Sequence, residues 1–244
     1  MIYDIIKNNQ NKQTKKLLLP LIDPDKLDEQ RLSQLSAILK NHSVPFVVVG
    51  GSLISCPIAP VIETLKTKLN LPVILYPGHP SHIVQEADGI FLLSMISGRN
   101  PDLLIGHHVA AAPQLHRLNL EIIPTGYMLI DGGCSTSVEY ISQTRPIPAN
   151  KTDIAVATAM AGEMLGLRLI YMDAGSGALN AISSEMIAAV KKAISVPLLI
   201  GGGIRTPEQL KSAYSAGADM IIVGNVLEKE PLLLDQFLTI AENW

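Results

Sequence analysis

Short aliphatic and β-branched runs alternate with amphipathic segments of helical period along nearly the whole chain. The runs predict strands over Lys16–Asp23, Phe46–Ser52, Pro72–Pro77, Asp88–Ile96, Glu121–Ile130, Leu169–Asp173, Pro197–Ile200 and Met220–Val223. Between them the spacing of apolar residues predicts helices over Asp28–Asn41, Ile58–Asn70, Pro101–Leu118, Thr152–Leu165, Ser183–Ile194 and Pro207–Ala216, with a closing helix from Leu232. Two stretches break the rhythm. HPSHIVQEA, between the third and fourth strands, is too short for a full helical crossover, so that βα unit is abbreviated. Asp131–Asn150 is rich in Gly, Ser, Thr and Pro without helical period, a length of irregular chain that in a compact domain marks a functional or mobile segment.

Eight strands with helices in nearly every gap, over 244 residues and with no shift in composition, predict a single (β/α)8 TIM barrel of the α/β class occupying residues 1–244. A doubly wound sheet would carry its ligand fingerprint after the first strand, whereas the glycines here gather after the last ones.

Composition narrows the class of partner. Hydrophobic residues make up 48% and charged residues 17%, enough to fill a large core and far from a disordered chain. A net charge of -3 without a Lys/Arg cluster argues against nucleic acid. The N-terminal apolar run is too short for a signal peptide, and no apolar run reaches the ~18 residues of a membrane helix. Cys56 and Cys134 lie outside any metal or disulfide pattern and are expected as free thiols in a reducing cytoplasm.

In a barrel the strand C-termini share one mouth, so chemistry is sought just after each strand. After the seventh strand stands GGGIRTP (201–207), and after the eighth Val223, Gly224 and Asn225. Glycines there let backbone amides approach an oxyanion, and these are the two loops in which barrels commonly hold phosphate. After the sixth come Tyr171, Met172, Asp173, Ala174, Gly175, Ser176 and Gly177, with a carboxylate able to accept a proton from a substrate hydroxyl. A small phosphorylated polyol or sugar is the expected ligand. Asp23 after the first strand and Ser52 after the second are hard oxygen donors of the kind that suit Mg2+. His79, His82, His107 and His108 lack a third ligand pattern and read as structural or channel-lining. These residues alone leave open a sugar-phosphate isomerase or aldolase barrel, or a barrel that only binds a phosphorylated metabolite. The first normally needs a Schiff-base Lys or a carboxylate pair, and no Lys follows the sixth strand.

The ordered set IDPDK (22–26), GGS (50–52), YMDAGSGA (171–178), IGGGIRTPEQ (200–209) and GADMIIVGN (217–225) resembles the geranylgeranylglyceryl phosphate synthase family over essentially the whole chain. YPGHPSHI, SGRNPDLLIGHHV and IPANKTDIAVATAMAGEMLG resemble its larger bacterial and archaeal branch, which also includes heptaprenylglyceryl phosphate synthases. The resemblance implies a Mg2+-dependent prenyltransferase of ether phospholipid biosynthesis. The 3-hydroxyl of sn-glycerol 1-phosphate would capture the allylic carbon of a long-chain prenyl diphosphate, with geranylgeranyl preferred over heptaprenyl. It further implies Asp23 and Ser52 as metal ligands, residues 171–177 around the glycerol, Gly202, Gly203, Gly224 and Asn225 around its phosphate, and Asp173 and Tyr171 in catalysis. The family carries Glu where this chain has Asp173. Residues 131–150 would serve as a lid, with Arg145 and Lys151 as weaker candidates for diphosphate contact, and the enzyme would be a homo-oligomer, a dimer or hexamer.

Overall fold

The computed structural model describes residues 1–12, 16–224 and 230–244. Eight parallel strands close into a barrel in sequence order: β1 (Leu17–Ile22), β2 (Val47–Gly51), β3 (Val73–Pro77), β4 (Gly89–Met95), β5 (Glu121–Leu129), β6 (Leu169–Asp173), β7 (Leu198–Gly201) and β8 (Met220–Val223), with β1 paired to β8. Around them lie α1 (Ile2–Lys12), α2 (Glu29–Leu39), α3 (Ile58–Leu69), α4 (His107–Leu115), α5 (Ser137–Ser142), α6 (Thr152–Met164), α7 (Ser184–Ala193), α8 (Pro207–Ser215) and α9 (Pro231–Glu242). The abbreviated third unit is a single 3-10 turn, Pro80–His82, capped by the His79 side chain.

Alternation along each strand divides the apolar residues between two cores. Leu19, Val48, Ile74, Phe91, Ile123 and Leu199 fill the barrel interior, while their neighbours Leu18, Val49, Leu75, Ile90, Met128 and Leu198 pack under the helices. Both faces are covered, which is why the strands read as nearly continuous aliphatic runs.

The sequence pattern gives no sign of α1, because MIYDIIKNNQNK is short and rich in Asn. Tertiary contacts hold it. The Ile2 and Tyr3 amides donate to the Glu121 carboxylate, the latter at 2.9 Å, so a negative group sits on the helix N-terminus. Ile2, Tyr3 and Ile6 join the interior core, so α1 stoppers the barrel at the end opposite the mouth. The helix predicted from Pro101 begins as a π-helical turn, Asp102–Gly106, before α4. Residues 131–150 are not structureless: α5 is capped by Thr136, and Ile130 bridges to Ile147. Asn100 donates to the Ser142 carbonyl at 2.9 Å, docking this segment on the loop after β4.

At the closing seam, His42 lies between two carboxylates of α9, with Nδ1 3.1 Å from Glu242 and Nε2 3.0 Å from Asp235. Donating to both acceptors takes two N–H groups, so the pair of contacts is complete in the imidazolium form. Burial opposes the charge, but the carboxylates outweigh it and the pKa is raised. Stability from this clasp is therefore full below the ordinary histidine pKa and lost as pH climbs through the raised one. His42→Gln should cost about 1–2 kcal/mol in urea unfolding at pH 6, and the gap to the parent should narrow above pH 8; a gap constant with pH would contradict the clasp.

Candidate active site

The loops after β1, β2, β6, β7 and β8 surround one cavity of about 670 Å³ at the strand C-termini. It brings together Asp23, Ser52, Tyr171, Asp173, Gly175, Ser176, Gly177, Gly202, Gly203 and Gly224, drawn from strands scattered along the chain. Met172 and Ala174 are fully buried in the helix-facing core instead, because alternation turns every second strand residue outward; only their backbone lies near the cavity. Asn225 lies outside the described residues. Arg145 and Lys151 are exposed and do not line the cavity.

Glycine is required where the β6 and β7 loops touch. Gly202 has φ +74°, and a Cβ there would run into the amide nitrogens of Ala174 and Gly175 and into Asp173 Oδ1. Gly203, at φ +72°, is pressed against Asn180 in the same way. Without side chains, Gly202 and Gly203 leave the backbone of this loop open to a ligand at the cavity wall. Arg205 reinforces the layer by donating to the carbonyls of Gly177, Ala178 and Leu179. Just beyond it, a capping box between Thr206 and Gln209 starts α8.

Asp173 is 7% exposed at the floor of this cavity. Its Oδ1 accepts the Gly175 amide at 2.8 Å, and its Oδ2 accepts the Tyr127 hydroxyl at 2.7 Å. Burial pushes its pKa up, while hydrogen bonds from Tyr127, the Gly175 amide and Tyr171 pull the other way. The phenols of Tyr76, Tyr127 and Tyr171 are all held well above their ordinary pKa, by burial and then by the Asp173 charge, so they stay neutral donors. Their rings form an edge-on cluster, with Tyr127 and Tyr171 centroids 5.3 Å apart.

Across the mouth, Asp23 accepts the Asp25 amide at 3.1 Å and pairs with Lys26 at 3.0 Å. Asp25 fastens the loop after β2: it accepts the Cys56 and Ser55 amides, which hold its carboxyl down to about 2. Burial and then Asp25 push the Cys56 thiol up to about 11. Among the described residues no group of three or more His, Cys, Asp or Glu side chains could hold a metal. A cation at Asp23 and Ser52 would thus draw further ligands from water and substrate, as Mg2+ commonly does.

A second cavity of about 650 Å³ adjoins the first and shares Gly51, Ser52, Leu53, Tyr76 and Val138 with it. Its walls are chiefly apolar, including Leu92, Leu93, Met95, Leu103 and Ala111. All four histidines singled out in the sequence line it. Burial, followed by a neighbouring histidine, lowers the pKa of His82, His107 and His108 and favours their neutral forms. His108 Nε2 meets Ser94 Oγ at 2.9 Å. Sequence reasoning missed this cavity's aliphatic walls, together with Tyr76 and Tyr127, and took Arg205 only as part of the glycine loop after the seventh strand. The available signal was alternation, which puts Tyr127 and Tyr171 at paired inward positions of β5 and β6.

The model of the PcrB family matches residues 9–242. A geranylgeranylglyceryl phosphate synthase of Spirosoma linguale is 51% identical over 231 residues, covering 94% of this chain and 93% of that protein. One from Thermococcus kodakarensis is 40% identical over 219 residues, 89% of this chain and 86% of that protein. The crystal structure of (S)-3-O-geranylgeranylglyceryl phosphate synthase from Thermoplasma acidophilum in complex with substrate sn-glycerol-1-phosphate superposes with a TM-score of 0.90 at 30% identity, covering 98% of this chain and 99% of that one.

The collision at Gly202 is with backbone and cannot be relieved by a rotamer change. Gly202→Ala should therefore lower stability by about 2–3 kcal/mol, on the order of 5–10 °C in the unfolding midpoint. An unchanged midpoint would mean the two loops are not packed as described.

Proposed function

The chain belongs to the PcrB family, and from that membership we propose that it is a prenyltransferase joining sn-glycerol 1-phosphate to geranylgeranyl diphosphate through an ether bond. The observation that carries this reading is the pair of adjoining cavities, one lined by the glycine loops with Asp23 and Asp173, the other walled mainly by aliphatic side chains, sharing Ser52 and Tyr76. A phosphorylated polyol suits the first and an isoprenoid tail the second. Their junction is where the two reacting ends would meet.

The glycerol phosphate docks on the amides of Gly202, Gly203 and Gly224, in the part of the barrel mouth that favours phosphate. Its 3-hydroxyl faces Asp173. As the hydroxyl oxygen bonds to the allylic carbon, the bond from that carbon to the diphosphate oxygen breaks, the proton passes to Asp173, and diphosphate leaves. The raised proton affinity of Asp173 makes it a better acceptor than a solvated carboxylate. Tyr171 keeps its proton and lies along the same floor. The missing methylene relative to a Glu is met by the closeness of its partners: Tyr127 and the Gly175 amide both reach the shorter carboxylate.

Asp23 and Ser52 would hold Mg2+, their oxygens being of the hard type it favours. Bound there, it would neutralise charge gathering on the departing diphosphate. The lowered proton affinity of His82, His107 and His108 reduces the charge around the aliphatic walls, which favours a hydrocarbon occupant. No described helix is long and apolar enough to cross a membrane.

The exposed apolar side chains on α4 and α6 and at their ends, among them Ile105, Val109, Ile154, Met160 and Met164, support a homo-oligomer in which these faces are covered. Light scattering should give a dimer or a larger assembly; a monomer at micromolar concentration would contradict it.

Incubation with labelled sn-glycerol 1-phosphate, Mg2+ and prenyl diphosphates of graded length tests the activity itself. Geranylgeranyl ether should form, EDTA should abolish it, and Asp173→Ala should reduce turnover by about 10²-fold or more. Ether with heptaprenyl alone would reassign the chain length, and no ether at any length would overturn the reading. Full activity in EDTA would remove the metal assignment.

A further inference from the structure

Tyr127 belongs to both cavities' chemistry at once. Its ring lines the apolar cavity, while its hydroxyl donates at 2.7 Å to Asp173, which lines the polar one. It is 2% exposed and packs in a triangle of rings with Tyr171 and Tyr76, whose centroids lie 5.3 Å and 6.5 Å away. Resting on the reading of Asp173 as the proton acceptor, we propose that Tyr127 is a positioning residue that fixes the direction of the carboxylate and favours its ionised form.

Two physical consequences connect the residue to the reaction. First, the Gly175 amide fixes Oδ1 and Tyr127 fixes Oδ2, so the carboxylate plane is set by two donors from different strands. A carboxylate with one fewer methylene than Glu has less reach, and its direction depends more on what holds it. Second, burial by itself favours the protonated acid, which cannot accept a proton. A neutral phenol donating to Oδ2 favours the ionised form and keeps the base usable. The groups that face Asp173 are Tyr127 from β5, Tyr171 from its own strand, Tyr76 from β3 and the Gly175 amide; it takes part in none of the ion pairs found among the described residues. Among the described residues no charged side chain ranks with the phenol in setting the carboxylate's proton affinity.

Tyr127→Phe keeps the ring and removes only the donor. Loss of a hydrogen bond to a charged group should lower kcat about tenfold to a hundredfold, with KM for the prenyl diphosphate held within about twofold because the groove wall is intact. The sign of the pH effect follows from the donor's role. Without it the ionised carboxylate is less favoured, its pKa rises, and the acid limb of the kcat profile moves to higher pH. Placing 3-fluorotyrosine at position 127, a stronger donor of nearly the same shape, should move that limb to lower pH, and it supplies the answer if the Phe variant does not fold. A kcat loss with an unmoved pH profile would overturn the proposal, as would unchanged kcat. Parallel assay of Asp173→Ala separates the two levels: an active Asp173→Ala removes the base assignment itself, whereas an impaired Asp173→Ala beside a normal Tyr127→Phe removes only the role of Tyr127.

Discussion

A carboxylate buried in a protein is costly unless something holds it, and Asp173 is held on both oxygens, by Tyr127 and by the Gly175 amide. That arrangement needs the closed barrel. Tyr127 and Asp173 sit on neighbouring strands whose register pairs Tyr127 with Tyr171 and Leu129 with Asp173, so the phenol crosses to the carboxylate inside the interior layer. It also needs the glycines of the next strand's loop, because Gly202 leaves space beside Asp173 Oδ1 that any side chain would fill. The buried carboxylate, the glycine loop beside it and the packing of β5, β6 and β7 are thus one construction.

The mouth divides along the barrel's circumference. The loops of β6, β7 and β8 supply glycine backbone and a carboxylate, while those of β3 and β4, with the start of α4, supply aliphatic walls and histidines. The third βα unit is shortened to one turn in just this sector. With no full helix between β3 and β4, Leu92 and Leu93 and the π-helical turn at Asp102–Gly106 are left to face the open groove. The low charged fraction of the chain serves this purpose as well as the core.

Much of this was legible in the sequence because the relevant signals are periodic or local. All eight strands follow from aliphatic runs, and the glycine loops announce themselves by composition. What stayed hidden depends on contacts between distant residues. α1 is held by Glu121, 118 residues away from Tyr3, and leaves no mark in its own propensities. Tyr127 reads as an ordinary strand aromatic until the register sets it beside a residue 46 positions later. Met172 belongs to a motif whose side chains alternate in and out, so a run of seven consecutive candidates necessarily included outward-facing ones. The apolar cavity is assembled from several separate segments, and no one of them has a composition that distinguishes it from core.

The central claim is that a polyol phosphate and an isoprenoid meet over one buried carboxylate. A crystal structure of the protein with sn-glycerol 1-phosphate, Mg2+ and an unreactive prenyl thiodiphosphate tests it most directly. The account predicts the phosphate on the Gly202, Gly203 and Gly224 amides, the 3-hydroxyl within hydrogen-bond distance of Asp173, and the prenyl chain running past Tyr127 between the walls of β4 and α4. A 3-hydroxyl turned away from Asp173, or a prenyl chain outside that groove, would contradict it.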